Sequence, residues 1–202
     1  MRPKHITYII AAGAATAVGL SQTKAGAGAL LINGLLAVAG VATFPIARHV
    51  EIACAADESL ITFTVTGTNR YGGVLSEDVA GVTAGLSAKT TKNFKTVTGV
   101  SVSAALTGNV LIGTSNSLQT GWIPVDSFRV IDAGVTKSSG AVFNWAIETT
   151  LGDVYADSED TLPIDGAEGT PMGLLAATAI RLSISGHTGG NATLDIVARG
   201  HR

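Results

Sequence analysis

Apolar residues alternate with Thr and Ser again and again along this 202-residue chain, and that two-residue period limits its fold more than any other feature. Ile61, Phe63 and Val65 alternate with Thr62, Thr64 and Thr66. Val100, Val102 and Ala104 alternate with Ser101 and Ser103, and Phe143, Trp145 and Ile147 with Asn144 and Ala146. Ile180, Leu182 and Ile184 alternate with Arg181, Ser183 and Ser185; Leu194, Ile196 and Ala198 alternate with Asp195 and Val197. Successive side chains of a strand point to opposite faces, so each run has one face for a core and one for water. Threonine suits such a pleated surface better than a helix. Turn residues fall between the runs at 69–73 and at Gly108-Asn109, and 186–191 reads as a hairpin joining Ile184 to Leu194. The pattern predicts an all-β chain, an antiparallel sandwich or barrel-like module. The one helix candidate, residues 171–178, is short and contains Gly173, so it reads equally as a turn.

Three segments are expected. Residues 1–28 form an Ala/Gly-rich N-terminal arm, 29–120 a β module, and 121–202 a second β half. The pattern leaves open whether that half continues the first, and Ser115 to Gly121 reads as a connector between them. At the N-terminus, Arg2 and Lys4, the apolar run from Ile6 to Leu20 and then Ala25-Gly26-Ala27 mimic a cleavable secretory signal. Against that reading, the run consists of Ala and Gly rather than Leu, Thr16 interrupts it, and residues 22–24 are polar. It is also too short and too weakly apolar for a membrane span. The preferred reading is a flexible arm that orders on a neighbouring subunit, with Ile6, Tyr8, Ile9 and Ile10 as contact residues.

The search for chemistry returns little. Charged residues make up 14% of the chain, well below the usual quarter, so either Ser, Thr and Asn clothe the exterior or neighbouring subunits cover it. The 13 basic residues are scattered and the net charge is −2, which provides no stripe to neutralise phosphates and argues against direct nucleic-acid binding. Cys54, the single cysteine, excludes an intrachain disulfide and reads as a buried thiol in an apolar run. His5, His49, His187 and His201 have no second His or Cys at metal-ligand spacing. Asp153, Asp157, Glu159, Asp160 and Asp165 lie in an acidic loop over 152–169 that departs from the EF-hand spacing and reads as solvated. Trp122 and Trp145 sit among apolar neighbours and read as core. Gly26-Ala27-Gly28 lacks the Gly-Lys-Ser/Thr of a phosphate loop. No catalytic residue, metal or cofactor is expected, and the chain does not read as an enzyme.

One ordered series carries a resemblance. It runs Ile61-Thr62-Phe63-Thr64-Val65-Thr66-Gly67-Thr68-Asn69-Arg70-Tyr71-Gly72, then Ser76-Glu77-Asp78-Val79-Ala80-Gly81, then Lys92-Asn93-Phe94-Lys95-Thr96-Val97-Thr98-Gly99-Val100, then Gly108-Asn109-Val110 and Gly113-Thr114. This succession resembles a β module of virion structural proteins in tailed bacteriophages: a strand FTVTGT, a turn, an acidic return strand and FKTVTSI. Residues 26–34, Trp122-Ile123-Pro124-Val125-Asp126 and Thr178-Ala179-Ile180-Arg181-Leu182 extend the likeness over most of the chain beyond Leu20. The resemblance implies a virion component made in the host cytoplasm, and among these a capsid decoration or cement protein bound to major capsid subunits. It further implies a homo-oligomer, taken as a trimer, with no membrane partner. A tail tube, adaptor or fibre-base subunit and a secreted carbohydrate-binding sandwich are the alternatives.

Overall fold

The structure is a computed structural model and describes residues 4–125, 128–150, 162–164, 172–175 and 178–201. Every regular element among them is a strand, and the ladders described below are antiparallel. In chain order they begin with β1 (Lys4–Tyr8), β2 (Gly19–Gln22), β3 (Gly28–Ala29) and β4 (Ala37–Val38). The long β5 (Val41–Cys54) follows, then β6 (Thr62–Thr68), β7 (Val74–Ala80), β8 (Ser87–Lys89), β9 (Phe94–Val102) and β10 (Val110–Gln119). The rest are β11 (Ile123–Pro124), β12 (Phe128–Lys137), β13 (Val142–Thr150), β14 (Leu162–Ile164), β15 (Met172–Leu175), β16 (Ala179–Gly189) and β17 (Ala192–His201).

These strands belong to two compact units. Unit 2 is residues 13–118, and unit 1 is residues 1–12 together with 119–202. Unit 2 is therefore an insertion between the first strand of unit 1 and its remainder.

Unit 2 is built on the strand order β10-β5-β9-β6-β7, with β2 added to β10, β3 to β9, and β4 and β8 to β5. The alternation explains it directly. Phe63 and Val65 of β6 are fully buried while Thr62, Thr64 and Thr66 are half-exposed. They meet Phe44, Val50 and Ile52 of β5, Phe94, Val97, Val100 and Val102 of β9, and Val110 and Ile112 of β10 in one apolar cluster. Burying a side chain of this size contributes about 1.5–3 kcal/mol. The run expected to reach Ala104 stops earlier, since β9 ends at Val102 and Ala104 is exposed. Pro45 sits inside β5 where the register against β9 shifts between Thr43 and Arg48, as expected of a residue with no N–H to give the ladder. Lys95 Nζ donates to the Pro45 carbonyl there at 2.8 Å.

Unit 1 holds a four-stranded sheet, β1-β17-β12-β15, and a second group in which β16 pairs with β13 and β11, and β13 with β14. The chain changes sheet between β12 and β13 and again between β16 and β17. The two crossings meet: Ser138 N–H donates to the Asn191 carbonyl at 3.0 Å, and Asn191 N–H donates to Ser138 Oγ at 2.9 Å. Gly190, at φ 87°, fills this corner because a Cβ there would lie 2.3 Å from that of Ala141. The segment 186–191 is thus a corner between sheets rather than the expected hairpin. The helix candidate is corrected as well. Met172–Leu175 is a strand, in register with β12 from Val130↔Leu175 to Ala133↔Met172.

The N-terminal arm is not free. Residues 4–8 form β1, aligned with β17 from Lys4↔Ile196 to Tyr8↔Ala192, so both ends of the described chain share one ladder. Residues 13–22 run through unit 2, with Ala17 and Val18 fully buried and Val18 N–H donating to the Ile112 carbonyl at 3.0 Å. The Ala/Gly composition serves close backbone packing here. A Cβ on Gly34 would sit 2.3 Å from the Thr16 carbonyl oxygen, and one on Gly113 2.3 Å from that of Ala14. The expected connector, 115–121, largely continues β10, and the unit boundary falls at Leu118/Gln119.

Candidate functional site

The most concentrated polar chemistry among the described residues is interior to unit 1. Glu148 of β13 and Arg181 of β16 stand directly opposite in the ladder, and Arg181 Nε meets Glu148 Oε2 at 2.5 Å. Gln119 Nε2 donates to both carboxylate oxygens, at 3.0 and 3.1 Å, and the Arg181 guanidinium lies 4.3 Å from the centre of the Trp122 ring. Thr120 Oγ accepts the Leu182 N–H at 3.0 Å. Glu148 and Arg181 are both buried, so each charge depends on the other and on these hydrogen bonds. Such a cluster holds strands in register. Its carboxylate is engaged by a guanidinium and an amide.

A second buried carboxylate acts as a loop clip. Glu58, 1% exposed, accepts the N–H groups of Thr107 at 2.9 and 3.1 Å and of Gly108 at 2.8 Å. Two loops far apart in sequence are joined by it. His187 is buried, with Nε2 donating to the Gly190 carbonyl at 2.9 Å and its ring 5.6 Å from that of Phe143. Lys137 Nζ caps the same region, donating to the Phe143 carbonyl at 2.8 Å. His49 of β5 has a pKa below the ordinary value, chiefly through burial and then through the positive charge of Lys89.

The residues singled out from sequence scatter. Ile9 is 78% exposed, Ile6 and Tyr8 are half-buried in β1, and Ile10 is buried at 6% exposure. Cys54 is buried, and burial raises its thiol pKa, away from a nucleophile's needs. Trp122 is buried whereas Trp145 is only half-buried. His5 and His201 lie in β1 and β17. The acidic loop at 152–169 lies outside the described residues except for 162–164. No cluster of three metal-binding side chains occurs among the described residues, and no helix among them is long and apolar enough to cross a membrane.

Sequence reasoning missed Glu58, Glu148 and Gln119, and placed Arg181 on an outward face. The signal for the ion pair is the cross-strand register, which exists only once β13 is laid against β16.

Several large apolar side chains stand exposed. Leu31 is 66%, Leu35 79%, Val38 79%, Leu60 95% and Val74 91% exposed. Leu20, Leu31 and Leu35 come from two segments lying side by side: Gln22 bonds the Leu31 backbone, and Asn33 Oδ1 accepts the Leu20 N–H at 3.0 Å. No family model, curated protein or solved structure matches the chain.

Proposed function

We propose that this chain is a structural protein of a tailed-bacteriophage virion, a capsid decoration or cement protein that binds major capsid subunits and acts without catalysis. The observation that carries the docking part is the placement of Leu31, Leu35 and Val38. These large apolar side chains are 66–79% exposed on a hydrogen-bonded sheet body. Such a surface gains when a partner covers it. Buried Glu58, Glu148 and Arg181, by contrast, are engaged in internal contacts. The virion assignment rests on the resemblance of residues 61–114. Copies assemble as a homo-oligomer, taken as a trimer, and several weak contacts per copy add up to firm attachment on a repeating shell. Neither nucleic acid nor membrane is a direct partner in this reading.

The test is to add the purified chain to undecorated capsids and to tail tubes, and to follow co-sedimentation and shell melting. Saturable binding to shells with a raised shell melting temperature is expected, and Leu31→Asp with Leu35→Asp should lower that affinity at least about tenfold. Binding to tubes alone moves the chain to the tail. Failure to bind either, with hits on a glycan array instead, overturns the virion reading.

A further inference from the structure

The outer face of unit 2 carries a cleft of about 460 Å³ that the patch above does not use. Its floor is the end of β5, where cross-strand pairing places Leu111 of β10, Ala53 and Ser87 of β8 in one row. Ala53 and Ala55 keep that floor low, and Leu86 and Leu111 flank it. At one end stands Glu51, whose Oε1 accepts the Ser87 hydroxyl at 2.5 Å. Ser21 and Asn109 line the cleft elsewhere. Glu51 is the one charged residue in the lining. Lys89 stands opposite it in the ladder, but its side chain is exposed and makes no ion pair with the carboxylate.

We propose that this cleft receives the side chain of a lysine or arginine presented by a partner protein, its aliphatic stem on Ala53, Ala55 and Leu86 and its cation against Glu51 and Ser87. The inference rests on the docking reading and states the chemistry of the surface docked. Other ligand classes fit less well. A divalent cation needs several oxygen ligands, and one carboxylate is present. An anion would meet Glu51 with no cation in the lining to offset it. A sugar ring has no aromatic platform here. A long basic side chain matches both halves of the lining, because its stem is apolar and its head is a multiple hydrogen-bond donor. The volume, within the range of about 300–1,000 Å³ for small-ligand clefts, accommodates such a side chain with its flanking backbone.

Amide chemical shifts of the full chain, titrated with n-butylguanidinium and separately with n-butanol, test this. Saturable shifts at Ala53, Ala55, Ser87 and Asn109 are expected with the guanidinium and not with the alcohol. Glu51→Gln should weaken binding about fivefold and Leu86→Ala about threefold. Shifts that miss these amides, equal shifts from the alcohol, or unchanged affinity in Glu51→Gln would each overturn the proposal. Capsid binding is read independently. Shells bound while the guanidinium is refused sinks the cleft alone, and the guanidinium bound while shells are refused sinks the capsid reading alone.

Discussion

The two units use the same antiparallel ladder but keep order in different ways. In unit 2 the alternation survives almost intact: Phe63 and Val65 point in, Thr62 and Thr64 stand at the surface, and three phenylalanines fill the centre. Its buried carboxylate, Glu58, is spent on loop amides. In unit 1 the alternation breaks. Residues 147–150 of β13 and 179–182 of β16 are buried consecutively, so both faces are covered there, and an ion pair sits within the ladder. The difference teaches that an apolar face sets which way a strand lies, whereas a charge pair sets which residue lies opposite which. A one-residue slip in unit 2 would turn an apolar face outward. In unit 1 it would separate Glu148 from Arg181 and leave two buried charges.

Both tryptophans, Trp122 and Trp145, belong to unit 1, so their fluorescence follows that unit while far-ultraviolet circular dichroism follows both. This makes the comparison breakable. The largest effect is expected from Phe63→Ala, which empties the centre of unit 2 and costs about 3–5 kcal/mol. In urea it should shift the dichroism transition to lower denaturant while moving the tryptophan transition less. Equal shifts in both signals would mean that the units unfold as one.

Next comes Glu148→Ala, expected to cost about 3 kcal/mol by leaving the Arg181 charge buried and alone, with the tryptophan transition moving first. The double change Glu148→Leu with Arg181→Met should restore most of that loss. If the double variant stays as unstable as the single one, the pair contributes stability itself rather than specifying register.

The smallest effect concerns pH and lies in unit 2. Burial and Lys89 hold the His49 pKa below the ordinary 6.5, so between those two values the unfolded chain binds more protons than the folded one. Stability therefore falls as the pH drops below about 6.5 and levels off once His49 is protonated in the folded state as well, with a slope of at most about 1.4 kcal/mol per pH unit. Urea midpoints at pH 7.5 and 5 should differ less in His49→Gln than in the parent chain. An unchanged difference would assign the acid sensitivity to other groups.

Five of the strands, β6, β9, β13, β16 and β17, were readable before any fold was built. Burial follows the predicted faces at Ile61, Phe63, Val65, Val100, Val102, Phe143, Ile147, Ile180, Leu182 and Ile184, because a two-residue period is a local property of the chain. The site was far less readable. Glu58 and Glu148 give no local sign of burial, since what hides them is the approach of loops and strands some 30 to 50 residues away. The composition of the first 28 residues misled for a related reason. Small residues permit flexibility and permit close packing alike, and only Thr16, Ala14 and their partners in space distinguish the two.

The amino-acid order alone determined the all-β class, where five of the strands lie and which of their faces turn inward. Tertiary structure alone decided that β1 closes on β17, that 172–175 joins a sheet instead of coiling, and that Glu148 finds Arg181. The reason is that a strand carries its periodicity in its own side chains but leaves half its backbone hydrogen bonds to a neighbour, and which neighbour answers is a property of the whole fold.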